Sequence, residues 1–257
     1  MKKMKKTKKS AIVAACMAGV LAITGAFAFL TDFDSAENKF SFLDKDGNQT
    51  IKIDLVEPNW DLTDNDQDGI PDAAEHAIYG NPVSKDPKVL NLGENDVYTF
   101  IKVLVPTKKV ITANPDGTWV HSDTKDADGN WIGKDTELFM LHGLDTANWT
   151  LIEDATVVDM EKGYTAYVYG YNKALKGATV DAEGADVIDE TTNLFTSVEM
   201  VNLVNGQITP EDNLNIYVDA YAIQSAGVEA TALGDIWNIY VNDASASTAF
   251  DYFAPLA

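Results

Sequence analysis

Apolar residues alternate with polar ones over much of this chain, in short runs broken by turn formers. "TIKIDLVE" (50–57) puts Ile51, Ile53 and Leu55 on one face, as a half-buried strand requires. "DVYTFIKVLVP" (96–106) is apolar almost throughout and ends at Pro106. "TWVHS", "ELFMLHG", "NWTLIE", "GYTAYVYGY" and "NLNIYVDAYAIQS" follow, rich in the Tyr, Val, Ile and Thr that suit a pleated surface. Segments 108–135 and 172–195 carry Gly, Asp, Asn and Lys and read as loops or hairpin excursions.

Helical spacing is scarce. In "GVEATALGDIWNIYVND" (227–243), Ala230, Leu233, Ile236, Trp237 and Tyr240 recur at helical intervals. The aromatic residues from 237 to 253 read as core packing. A second, short helix is expected in "DAAEHAIY" (72–79), with Gly80 as its stop. Many strands with little helix predict a mainly β chain folded as a β-sandwich.

One stretch breaks the strand pattern. "DNDQDGIPDAAE" (64–75) holds five carboxylates, and no Lys occurs between Lys52 and Lys85. Crowded like charges repel unless something neutralises them. Asp64, Asp66, Asp68, Gly69 and Glu75 fill every fixed position of D-x-[DN]-x-[DN]-G-x5-E, a calcium loop. Alternate side chains in such a loop aim inward, and the glycine permits the sharp turn. The expected ligands are Asp64, Asp66, Asp68, the carbonyl of Ile70, Asp72 directly or through water, and Glu75 in bidentate fashion. Pro71 and Asp72 then open the short helix. Pro58 in "EPNWDLT" disfavours an entering helix, so a paired EF-hand is not expected. The loop is similar to the D-x-D-x-D-G-I-P-D loops of thrombospondin type 3 repeats. "DKDGNQT" (44–50) and "DADGNW" (126–131) place their glycines two positions early and read as turns.

The first ten residues hold six lysines and no acid, and an uncharged apolar run ends at Ala26-Phe27-Ala28. That order reads as a secretory signal, residues 1–28, cleaved after Ala28. An uncleaved membrane anchor is the competing reading, since the run is long enough to span. "VAAC" also resembles a lipoprotein box, but the apolar run would then continue past Cys16. Cleavage removes six lysines and takes the formal charge from −21 to −27. Such a surface disfavours nucleic acid and anionic membranes and attracts divalent cations. The one Cys lies in the signal, which leaves residues 29–257 without disulfide or thiol chemistry. We expect a single domain there, with the calcium loop inserted at about 61–80.

Four blocks together carry a family resemblance: "AFAFLTDFDSAENKFSF", "IDLVEPNWD", "VSKDPKVLNLGENDVYTFIKVLVP" and "NIYVDAYAIQS". With them the chain resembles the camelysin/TasA family of Gram-positive exported proteins, which a dedicated signal peptidase processes. Residues 107–195 match none of the family's pattern, and the calcium loop looks like an insertion on it. The resemblance implies a jelly-roll-like sandwich secreted to the cell surface or a biofilm matrix. It also implies self-association into fibres, in which a mature N-terminal segment completes the sheet of the next subunit. Phe29 to Phe40 would be that segment, with Phe29, Leu30, Phe33 and Phe40 as pocket fillers. The alternative is a leader, or a strand added to its own domain.

Camelysin also implies a metallopeptidase. The three histidines, His76, His121 and His142, form no H-E-x-x-H pair, and no G-x-S-x-G or phosphate loop occurs. The leading expectation is therefore a non-catalytic structural protein with one structural calcium. A surface adhesin is the first alternative and a secreted metallopeptidase the second.

Overall fold

The computed structural model describes residues 51–67, 71–75, 78–209, 212, 214–244 and 250–254. The signal segment, the Phe29–Phe40 segment, "DKDGNQ", Asp68, Gly69, Ile70 and His76 lie outside the described residues.

The elements in chain order are β1 (Ile53–Val56), α1 (Asp72–Glu75), β2 (Val83–Ser84), β3 (Lys88–Asn91) and β4 (Val97–Val110). Next come β5 (Thr112–Ala113), β6 (Trp119–Val120), β7 (Lys134–Glu137), β8 (Phe139–His142), β9 (Trp149–Leu151), β10 (Val157–Asp159) and β11 (Tyr164–Tyr171). The chain continues through β12 (Thr179–Val180), β13 (Asp186–Val187), β14 (Asp189–Glu190), β15 (Ser197–Met200), β16 (Tyr217–Gln224) and α2 (Leu233–Ala244).

The principal sheet runs β10-β11-β4-β16, with β7 on the far end of β4 and β9 beside β11. Every pairing in it is antiparallel. Two smaller sheets, β1-β3-β14 and β2-β15-β8, complete a β-sandwich. Two-stranded pairs, β5-β6 and β12-β13, form the hairpin excursions expected in 108–135 and 172–195. "TWVHS" gives only the two residues of β6.

β4 lies between β11 and β16 and is buried along nearly its whole length, which is why it reads as continuously apolar. One face sends Val97, Ile101, Val103 and Val105 into the large inter-sheet core with Val89, Phe139, Phe195 and Val198. The other face carries Phe100, which packs with Val168, Tyr221, Ile236, Trp237 and Tyr240 under α2. The sandwich thus carries a helix on its outer face. Trp237 is fully buried there, stacked on Tyr240 at 5.3 Å and edge-on to Phe250 at 5.5 Å. This is the aromatic packing that 237–253 led us to expect.

Gly170 on β11 is where the helix comes closest. A side chain there would meet the Phe100 ring at 3.0 Å and Leu233 at 3.2 Å, so any larger residue would have to push those side chains aside. The C-terminal helix starts at Leu233, three residues after Ala230; Gly227, at φ 85, makes the turn ahead of it. Among the described residues no helix is long and apolar enough to cross a membrane.

Candidate metal site

The loop between β1 and α1 is fixed at both ends before any ligand is considered. At its entrance Trp60 is buried with its ring 5.0 Å below the Lys85 ammonium. The adjacent Asn59 donates its backbone N–H and side-chain amide to the buried Asp86 carboxylate, at 2.9 and 2.8 Å. At its exit the Gly80 N–H donates to Glu199 of β15 at 2.7 Å. Gly80 is left-handed, φ 83, in a turn closed by the Asn81 N–H on the Ile78 carbonyl at 3.0 Å, and so is not the expected stop of α1. Between them Ala74 of α1 is fully buried in the inter-sheet core. The loop therefore docks on the sandwich.

Within the loop, hydrogen bonds shape the backbone around the acidic side chains. The Asp72 N–H donates to the Thr63 carbonyl at 2.8 Å and closes the ring. Asn65 donates its N–H to one oxygen of Asp72 at 3.0 Å and its side-chain amide to the other. Gln67 donates its N–H to Asp64 at 2.7 Å. Gln67 sits at φ 60, an uncommon conformation for a residue with a side chain. Just upstream, the Thr63 hydroxyl and then its N–H hold the Asp61 carboxyl below the usual carboxylate range.

The result is a convergence. Asp64, Asp66 and Asp72 each bring one carboxylate oxygen to within 4.8 Å of the others. Two oxygens on one calcium ion at about 2.3–2.6 Å stand no more than about 5 Å apart, a condition that each pair of these three carboxylates meets. The donor set is all oxygen, as a hard cation prefers. Like charges this close repel by about 1 kcal/mol per pair even in water, and more near a protein surface.

Of the six expected ligands, three are thus drawn together. Glu75 stands on α1, outside that three-carboxylate group. Asp68 and Ile70 lie outside the described residues. Among the expected helix residues, Asp72 to Glu75 are helical, and Ile78 is exposed and already out of the helix. "DADGNW" is a turn: the Asp126 carboxylate accepts from Asp128 and Asn130 N–H groups at 2.9 and 2.8 Å.

The two described histidines stand apart from this loop. His142 contacts Glu199 at 2.8 Å. His121 stacks on Trp131 at 4.0 Å, and the Lys125 ammonium lies 4.4 Å from the same ring.

Sequence reasoning missed two interior ion pairs. The Lys85 ammonium contacts Glu57 at 2.7 Å and the Lys102 ammonium contacts Asp219 at 3.0 Å, all four side chains being essentially without solvent contact. The signal was present: Lys102 in "FIKVLV" and Asp219 in "YVDAYA" are lone charges inside apolar strand runs. A buried charge needs a partner, and two such runs of opposite sign could have been paired.

No family profile, curated protein or solved structure matches this chain.

Proposed function

We propose that this chain is a non-catalytic exported structural protein of the cell surface or a biofilm matrix, with one structural calcium in the loop of Asp64, Asp66, Asp68, Ile70, Asp72 and Glu75. The observation that carries the calcium part is the convergence of Asp64, Asp66 and Asp72 on a loop docked to the sandwich. Calcium there neutralises the crowded carboxylates and ties the end of β1 to α1. The matrix part is supported by the resemblance to the camelysin/TasA family, whose "VSKDPKVLNLGENDVYTFIKVLVP" and "NIYVDAYAIQS" blocks fall on β2 to β4 and on β16. Fibres would form as Phe29–Phe40 of one subunit, freed by a dedicated signal peptidase, adds a strand to the next.

Electron microscopy of the processed chain, with and without calcium, tests this. Fibres that vanish when residues 29–40 are deleted support it. A chain that stays monomeric under all conditions sinks the fibre reading. Titration calorimetry that shows no heat with millimolar calcium sinks the metal reading.

A second reading, a surface adhesin, is favoured by one feature. Trp119 and Trp131 are exposed in the 111–133 excursion, 55% and 39% accessible. Trp119 offers a flat apolar face to a glycan or protein, whereas the Trp131 ring is already stacked on His121 with the Lys125 ammonium near it. An adhesin would remain monomeric and keep its binding after deletion of 29–40.

A further inference from the structure

The outer face of the principal sheet holds a lysine and an aspartate in an arrangement that permits chemistry between them. Lys102 of β4 and Asp219 of β16 are direct cross-strand partners. Their ammonium and carboxylate groups stand 3.0 Å apart and fully buried. Aromatic rings enclose them: the ammonium lies 5.7 Å from the Tyr221 ring and 5.9 Å from Phe250. We propose that Lys102 and Asp219 condense to an amide, an isopeptide crosslink that staples the two strands together.

The step balances without any co-reactant. In the dry site the ammonium passes a proton to the carboxylate, giving a neutral amine and a neutral acid. The Nζ lone pair attacks the Asp219 carboxyl carbon and the C–N bond forms. The amine gives up a proton, the acid's C–OH bond breaks, and water leaves. Nothing is oxidised or reduced.

Three features favour it. Burial, the largest influence, pushes the Lys102 amine down from its ordinary range, with the attraction of Asp219 opposing. A buried lysine of this kind loses its proton more readily and becomes a nucleophile. Lys102 also donates to the backbone carbonyl of Ala254 at 2.7 Å, which fixes the amine against the acid. Reaction between strands held in register by their own ladder has the entropy of encounter already met.

The Lys85–Glu57 pair is an internal control. It is as dry and, at 2.7 Å, closer. Glu57 follows β1 and Lys85 follows β2, which belong to different sheets, so no shared ladder registers the two side chains. It is expected to remain an ion pair.

The test is a mass measurement on the purified processed chain after full denaturation. One water mass is expected to be missing. Digestion after lysine should leave 89–108 joined to 177–257, because a reacted Lys102 resists cleavage. The Lys102→Arg variant should regain the full mass. Full mass in the wild type overturns the proposal. So does a missing water that maps to Lys85–Glu57 or to a cyclised aspartate within one peptide.

Discussion

Two acidic regions of this molecule face opposite conditions for neutralisation. On the outer face of the principal sheet, Asp219 is buried and is met by a cation of the same chain, Lys102 on the neighbouring strand. In the β1–α1 loop, Asp64, Asp66 and Asp72 sit at the surface with their oxygens gathered within 4.8 Å. Inside, a carboxylate cannot wait for a cation from solution, because the desolvation penalty falls due during folding. Outside, water and counterions screen the loop, so a neutralising charge can come from solution. The interior pair therefore belongs to the stability of the fold, whereas the loop belongs to its surroundings.

The largest expected effect comes from breaking the interior side of that contrast. Lys102→Met leaves Asp219 buried without its cation and should destabilise by about 3–5 kcal/mol, seen in denaturant unfolding. Removing both charges, in Lys102→Met with Asp219→Leu, should recover the part of that loss due to the stranded carboxylate, while any contribution of a crosslink stays lost in both variants. If the single and double variants are equally unstable, the charge pairing is not what matters at this site.

Alkali should find the same region next. Burial, and then nearby charge, raises the tyrosines of this sheet; Tyr169 is pushed from 10.0 to about 12. Tyr164, Tyr221 and Tyr240 move the same way. A raised tyrosine keeps its proton in the folded chain while the unfolded chain loses it. Stability is thus complete below pH 10 and falls as pH rises from there toward the folded values. Unfolding midpoints measured from pH 9 to 12 should decline over that window. A flat profile would mean that these rings open to solvent more easily than their packing implies.

On the loop side the expected effect is smaller and depends on the ion. Calcium at roughly a hundred times its dissociation constant stabilises by about 2.7 kcal/mol, and the melting temperature should rise with concentration. The Asp64→Asn, Asp66→Asn, Asp72→Asn triple variant should lose that response. An unchanged melt in excess chelator, compared with millimolar calcium, would remove the ion from the account.

How far the chain could be read in advance follows from the same division. Strands β4, β11 and β16 were plain because long apolar runs of Val, Ile and Tyr have one comfortable home, the middle of a sheet. Short, polar strands such as β7, "KDTE", and β14, "DE", carry no such pattern; they exist only because β4 and β3 offer them an edge. In the loop, Asp64, Asp66 and Asp72 lie close in sequence, so a tight turn alone is enough to bring their carboxylates near one another. The docking of Ala74 and the Gly80–Glu199 bond were not legible, because their partners lie far along the chain. Lys102 and Asp219 were hidden for the same reason: each strand showed its stray charge, but register alone brings the two together.

The smallest expected effect sharpens the loop side by its sign. In chelator, Asp66→Asn should leave stability unchanged or raise it by roughly 0.5–1 kcal/mol, since one of three repelling charges is gone. Asp66 is exposed, and it is one of the three converging carboxylates. With calcium present the same substitution should destabilise, because an anionic ligand is lost from a cation that binds only the folded loop. The two melts would cross, the variant above wild type without calcium and below it with calcium. At Asp219 no such crossing is expected: its cation is Lys102, and removing the acid strands a buried ammonium whatever the solution contains. A substitution at Asp66 that moved stability the same way in both conditions would show that its carboxylate serves the loop's hydrogen bonding and not a metal.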